Sequence, residues 1–135
     1  MSSVHRLAVE AGQPLAAQPQ AGHNRWHPDI EPRLRIRPGD SIVVETLDAM
    51  DAQLDASSDA GTVLASNLNR VHPLTGPIHV DGAEPGDLLV VSIAEIETQH
   101  FGFTAQIPGF GFLRDVFPDP FYVGWTIHDH VAESD

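Results

Sequence analysis

The sequence contains no cysteine and no lysine. Without cysteine there is no disulfide framework, no thiolate metal site and no cysteine nucleophile. Without lysine there is no Walker-type phosphate loop, no Schiff base and no Ser-Lys catalytic pair. A Gly-x-Ser-x-Gly elbow is missing too, and Pro108-Gly109-Phe110-Gly111-Phe112 lacks the third glycine and following helix of a dinucleotide fingerprint. The first twenty residues hold one arginine and no apolar run of signal-peptide length. Neither a signal peptide nor a membrane span is therefore expected, and a cytoplasmic location is the corresponding expectation.

Positive charge is also scarce. Seven arginines face 19 acids, for a formal net charge of -12. Phosphate backbones need a cationic footprint, so no nucleic-acid partner is expected. The imbalance is uneven: residues 1–37 hold five arginines and three acids, residues 38–135 two arginines and sixteen acids. That fits a solvated acidic surface, or alternatively metal binding or docking of the basic strand onto an acidic neighbour.

What is present points to an all-β fold. A length of 135 residues fits one domain with its own core, and 11 glycines with 11 prolines argue for many turns and against a helical bundle. Residues 11–22 (AGQPLAAQPQAG) carry no charge and little apolar bulk, so residues 1–22 are expected as a flexible arm and 23–135 as the folded portion. Arg33-Leu34-Arg35-Ile36-Arg37 alternates strictly, the pattern of a half-buried strand. Pro38-Gly39-Asp40 then supplies a turn into Ser41–Leu47, a strand apolar on both faces over its first half. The same device recurs at Pro85-Gly86-Asp87, leading into Leu88–Ile96 (LLVVSIAEI) as a further buried strand. Between them Asp48, Asp51, Asp55 and Asp59 fall at helical spacing, so a short solvated helix or a long loop is expected there. Ile78-His79-Val80 reads as a short strand, and from Phe101 glycines separate aromatics in a stretch that packs on a core or lines a cleft.

Eight histidines are the main reservoir of chemistry. His23 and His27 lie four apart, but Pro28 turns His27 away from the helical region, leaving either a ligand-contacting or a purely structural loop in which Trp26 packs. Asn67–Pro77 combines polar side chains with glycine and two prolines between predicted strands, the kind of rigid loop on which functional groups are mounted. His72 is its preferred chemical residue, against the alternative of an imidazole that merely satisfies a turn. His128-Asp129-His130 places two imidazoles at i and i+2, one face of a strand, as a metal pair or a solvated tail.

The run His72-Pro73-Leu74-Thr75-Gly76-Pro77, continuing through Asp81-Gly82-Ala83-Glu84-Pro85-Gly86-Asp87-Leu88-Leu89, resembles the acetamidase/formamidase family. His23-Asn24-Arg25-Trp26-His27-Pro28-Asp29-Ile30-Glu31-Pro32 upstream, and Gly102-Phe103-Thr104, Ile107-Pro108-Gly109-Phe110-Gly111, Phe117-Pro118 and Trp125-Thr126-Ile127 downstream, follow the same order. The resemblance implies hydrolysis of short linear amides such as formamide and acetamide to carboxylate and ammonia. It also implies a two-sheet sandwich of jelly-roll or CUB-like type, and a homo-oligomer. Family members are longer, so the chain resembles their N-terminal portion and is expected as a partial form of the family fold. Amide hydrolysis needs an activated water or nucleophile, oxyanion stabilisation and an acid for the leaving ammonia. With no cysteine, lysine or serine elbow, a water activated by a carboxylate or a metal is the consistent expectation. His72 and Glu84 are the local candidates for base, acid or ligand, with Asn69 and Thr75 as substrate hydrogen-bonders. His72 and His79 are the expected ligands of a divalent ion, zinc or calcium. The competing reading is a non-catalytic β-sandwich module that binds a partner or assembles with a chain supplying the rest of the fold.

Overall fold

The computed structural model describes residues 2–134. Contacts divide the chain into two compact units, Met1–Ala52 with Leu68–Ser92 and Gln53–Asn67 with Ile93–Asp135. The first contains strands β1 (Val4–Leu7), β2 (Gly22–His23), β3 (Leu34–Ile36), β4 (Ser41–Val44), β5 (Leu74–Thr75) and β6 (Ile78–Val80). The second contains helix α1 (Ala60–Ala65) and strands β7 (Phe101–Gln106), β8 (Phe121–His128) and β9 (Val131–Glu133). Among the described residues the protein is all-β, as expected, apart from α1 and one 3-10 turn at Leu15–Ala17, and the strands form four small sheets with open edges. No helix among the described residues is long and apolar enough to cross a membrane.

In the first unit β1 runs parallel to β4, with Val4 opposite Ser41 and Leu7 opposite Val44. The Pro-Gly-Asp turn fixes this pair. Asp40 Oδ1 accepts a hydrogen bond from the backbone N–H of Ser3 at 2.9 Å, and its Oδ2 accepts from the Arg37 N–H at 3.0 Å and lies 3.0 Å from His5 Nε2. Those amides, then the imidazole, pull its carboxyl pKa from 3.8 to about 2. At the far end of β4, Glu45 accepts from Val9 N–H and from the Arg6 guanidinium, which lowers its pKa as well. Strand β2 pairs antiparallel with β5, and β3 pairs parallel with β6. In β3, Leu34 and Ile36 are half-buried and Arg35 is exposed, the alternation its sequence predicts.

Three expectations are corrected. The segment expected as a flexible arm is part of the fold: β1 lies within it, and Gln18 is buried, donating to the carbonyls of Glu10 and Gln13 at 3.0 Å and accepting from Glu10 N–H at 2.8 Å. One amide side chain thus supplies the order that apolar bulk does not. Second, β4 is not covered on both faces, since Val43 and Val44 are exposed. Third, residues 88–96 form no strand: Leu88, Leu89, Val90, Val91, Ile93 and Ile96 are all exposed, with Leu88 at 89%. A strand exists only with a ladder partner, and among the described residues none pairs with this segment.

The acidic run, 48–59, forms the loop expected as the alternative to a helix, and its last two carboxylates lie in the second unit. Asp55 binds Ser57 and Ser58, which lowers its pKa, and Asp59 caps the helix that follows. The Asp59 carboxylate accepts from Thr62 N–H at 2.8 Å while Thr62 Oγ1 accepts from Asp59 N–H at 3.3 Å, a reciprocal capping box that also lowers the Asp59 pKa. Val63 of α1 and Leu54 are the buried apolar residues of this unit. Tyr122 donates its hydroxyl to the Asp55 carbonyl, and desolvation, followed by the Asp55 charge, raises its pKa. Strands β7, β8 and β9 form an antiparallel sheet in which Phe103 stacks on Tyr122. The first part of the aromatic-glycine stretch, Phe101–Gln106, is therefore a strand, with Gly102 lying where a Cβ would meet Ile127 at 3.1 Å, while Phe110 and Phe112 beyond it are exposed. Asp129 and His130, at φ 49° and 64°, form the two-residue hairpin turn between β8 and β9. His128 and His130 thus do not share a strand face; His128 instead has its ring 5.5 Å from that of His100.

Candidate functional site

The first unit gathers two loops, 23–29 and 69–75, around an acidic turn at 48–52. Asp48 builds the turn by accepting from the backbone N–H groups of Met50 at 2.8 Å and Ala52 at 2.9 Å. Two non-glycine residues in succession, Asp51 and Ala52, take left-handed φ values of 58° and 57°. That conformation costs about 1 kcal/mol or more per residue and persists where surrounding bonds hold it. Here they do. Asp51 is 2% exposed, its Oδ1 accepts from Leu15 N–H at 2.6 Å, and its Oδ2 accepts from Arg70 Nε at 3.0 Å. Arg70 also donates to the Asp51 carbonyl at 2.9 Å.

Loop 69–75 is fastened by the same turn. His72, itself at φ 59°, donates its N–H to the Ala49 carbonyl at 2.8 Å. Thr75 Oγ1 donates to the Glu45 carbonyl at 2.7 Å, and Thr75 pairs with Gly22 across β2 and β5. Loop 23–29 is tied to it at the other end: Asn24 donates its side-chain amide to the Asn69 carbonyl at 2.9 Å, and the Arg25 guanidinium donates to the same oxygen at 3.4 Å. Within this loop His23 Nδ1 lies 2.6 Å from the Arg25 carbonyl, while His27 Nδ1 lies 3.3 Å from the Asp29 N–H.

Two open depressions adjoin these loops. The larger, of 790 Å³, is lined by His23, Trp26, His27, Asp29, Asp51 and Arg70 among others. The smaller, of 310 Å³, is lined by His23, Trp26, His27, Leu74, Thr75 and Pro77. Volumes of this size accommodate a small molecule. Apolar walls from Trp26, Leu74 and Pro77 with a few imidazole and hydroxyl groups give such a molecule both a desolvated surface and hydrogen-bond partners.

Of the residues singled out from the sequence, Thr75 lines the smaller depression and the Asn69 carbonyl joins the two loops. His72 is exposed beside the acidic turn. Glu84 stands apart in the second Pro-Gly-Asp turn, where its N–H donates to Asp87 Oδ2 at 2.9 Å, and no hydrogen bond or ion pair among the described residues joins it to His72. His79 lies on β6, 3.5 Å from Asp81 Oδ1. Among the described residues no three His, Asp or Glu side chains stand close enough to hold a metal ion. The Asp51–Arg70 pair was not singled out beforehand. Its signal is Arg70 itself, the lone arginine between Arg37 and Arg114 in an acid-rich stretch.

The sequence model of the acetamidase/formamidase family matches residues 8–135. The chain belongs to the acetamidase/formamidase family. It is 36% identical to a Mycolicibacterium smegmatis protein named acetamidase, over 95% of this chain and 35% of that protein. It is 42% identical to a Methylophilus methylotrophus formamidase, over 78% of this chain and 28% of that protein. Among solved structures, the gamma lactamase from Delftia acidovorans superposes with a TM-score of 0.87 at 33% identity, covering 96% of this chain and 33% of that one. The chain thus spans about a third of the length of the family relatives it matches. Both loops and the acidic turn lie inside the matched segment.

Proposed function

We propose that this chain supplies part of a site that hydrolyses short linear amides, formamide or acetamide, to the carboxylate and ammonia. The observation that supports the reading is that loops 23–29 and 69–75, bound to each other through Asn69 and lining one depression, lie within the segment shared with proteins named acetamidase and formamidase. In the proposed reaction a water attacks the amide carbonyl, the developing oxyanion is met by hydrogen-bond donors, and the leaving nitrogen takes a proton. His72 and Glu84 are the proposed acid and base groups, each acting on its own proton because no bond joins them. Asn69 and Thr75 are the proposed substrate hydrogen-bonders; with its proton committed to Glu45, the Thr75 hydroxyl acts as an acceptor. The working protein is proposed to be a homo-oligomer.

The test is ammonia release from formamide and acetamide by the purified chain, beside a His72→Ala control of unchanged thermal unfolding. Loss of a positioned acid or base lowers turnover by about 100-fold or more. Equal release by both proteins removes His72 from the chemistry. No release from a folded sample favours the second reading, a non-catalytic β-module that assembles with a chain supplying further strands. The exposed apolar segment 88–96, which has no ladder partner among the described residues, supports that alternative.

A further inference from the structure

The two histidines of loop 23–29 are held in opposite tautomers. A carbonyl oxygen only accepts, so His23 Nδ1, 2.6 Å from the Arg25 carbonyl, carries its proton and leaves Nε2 as a bare acceptor. A backbone N–H only donates, so His27 Nδ1, 3.3 Å from the Asp29 N–H, is the acceptor in the neutral ring and Nε2 carries the proton. Asp29 Oδ2 stands 3.8 Å from the same Nδ1, too far for a hydrogen bond that would reverse the assignment. His23 and His27 both line the smaller depression, together with Trp26, Leu74, Thr75 and Pro77. Trp26, 89% exposed, stands as an apolar wall without being packed into a core.

One acceptor and one donor on a shared apolar-walled surface complement a molecule that offers one donor and one acceptor side by side. We propose that this depression binds the cis edge of a small amide, with His23 Nε2 accepting its N–H and the His27 Nε2 proton donated to its carbonyl oxygen. The proposal deepens the amidase reading, on which it rests for the amide class, and adds His23 and His27 as recognition residues beside Asn69 and Thr75. The required edge is a matter of geometry. A primary amide always has one N–H cis to its carbonyl, and a small lactam is locked in that arrangement, whereas a simple secondary amide is trans and presents the two groups on opposite sides. The site therefore discriminates by amide geometry as well as by size.

The test is long-range proton-nitrogen NMR of the imidazole rings in the full 15N-labelled chain, with His23→Gln and His27→Gln assigning the signals. The expected spectrum shows His23 protonated at Nδ1 and His27 at Nε2. Acetamide and 2-pyrrolidone should each shift the Nε2 signals of both rings saturably, while N-methylacetamide at the same concentration leaves them in place. A His23 ring protonated at Nε2, rings that ignore acetamide, or an equal response to N-methylacetamide overturns the proposal. Ring shifts without ammonia release would favour the non-catalytic reading and leave the binding site standing. Ammonia release with unresponsive rings would overturn the binding site alone.

Discussion

Arg70 grips Asp51 at two points, its Nε on the carboxylate at 3.0 Å and a terminal nitrogen on the backbone carbonyl at 2.9 Å. The carboxylate is buried and the arginine is partly open to solvent, with a side-chain exposure of 40% against 3% for the aspartate. The two halves of the pair are therefore unequal. Removing the cation strands a buried charge, whereas removing the carboxylate releases a guanidinium that water can solvate.

Arg70→Ala should destabilise the protein by about 3 kcal/mol and Asp51→Ala by about 2 kcal/mol, the latter chiefly through the unpaired Leu15 N–H and the lost bonds to Arg70. Because the residues share their bonds, the double variant should cost less than the sum, with a coupling of about 1–3 kcal/mol. Urea unfolding of the four proteins measures this. Additive losses would show that the pair is not a unit.

Acid should loosen the first strand pair. The Asp40 pKa is depressed to about 2 by the Ser3 and Arg37 amides and by His5. A depressed carboxyl stabilises the fold fully above its unfolded value of 3.8, and that contribution disappears as pH falls through about 2. Glu45 acts in the same direction at the other end of the pair. Protection factors for amides such as Ser41, whose N–H donates to the Ser3 carbonyl at 2.9 Å, should hold above pH 4 and fall between pH 4 and 2. Asp40→Asn should show low protection at every pH.

Gly22→Ala should be far more harmful than Gly39→Ala. A Cβ at Gly22 would meet the Leu74 carbonyl oxygen at 2.1 Å, inside the pairing that aligns the two loops. The backbone must move, at a cost of about 3 kcal/mol. At Gly39 the new methyl meets open space and the penalty is the φ of +88° alone, about 1 kcal/mol. Thermal unfolding ranks the two, and equal costs would contradict the close approach at Gly22.

Leu88→Asp with Val90→Asp should leave unfolding within about 0.5 kcal/mol of the parent, since both side chains are exposed, at 89% and 79%. The same change should reduce concentration-dependent self-association in sedimentation velocity, because charge blocks pairing of a free apolar segment. Unchanged association would remove this segment as its cause.

Local chemistry was legible in the sequence and distant pairing was not. Pro38-Gly39-Asp40 announced a turn and the strand after it, and Arg33–Arg37 announced the alternation seen in β3. The helical spacing of Asp48, Asp51, Asp55 and Asp59 left a helix and a loop both open, because spacing alone does not reveal that each carboxylate binds a different partner. The first twenty-two residues looked featureless because their order comes from Ser41–Val44 and from the Gln18 amide, neither of which local composition encodes. Leu88–Ile96 has the β propensity of a strand, yet propensity needs a partner to become structure. In the site, the histidine loops could be quoted from the sequence, but the tautomers of His23 and His27 depend on two backbone groups placed by the fold.

The pairings β1 with β4, β2 with β5 and β3 with β6 have a consequence for the order of synthesis. Each joins an early segment to one made much later, so the nascent chain carries β2 and the His23–His27 loop unpaired until Leu74 and Thr75 have left the ribosome, and β3 waits for Val80. Non-local pairing of this kind is slow and leaves edges open meanwhile. The depression is thus a late product of translation, and its first wall must be kept from other partners until the second arrives.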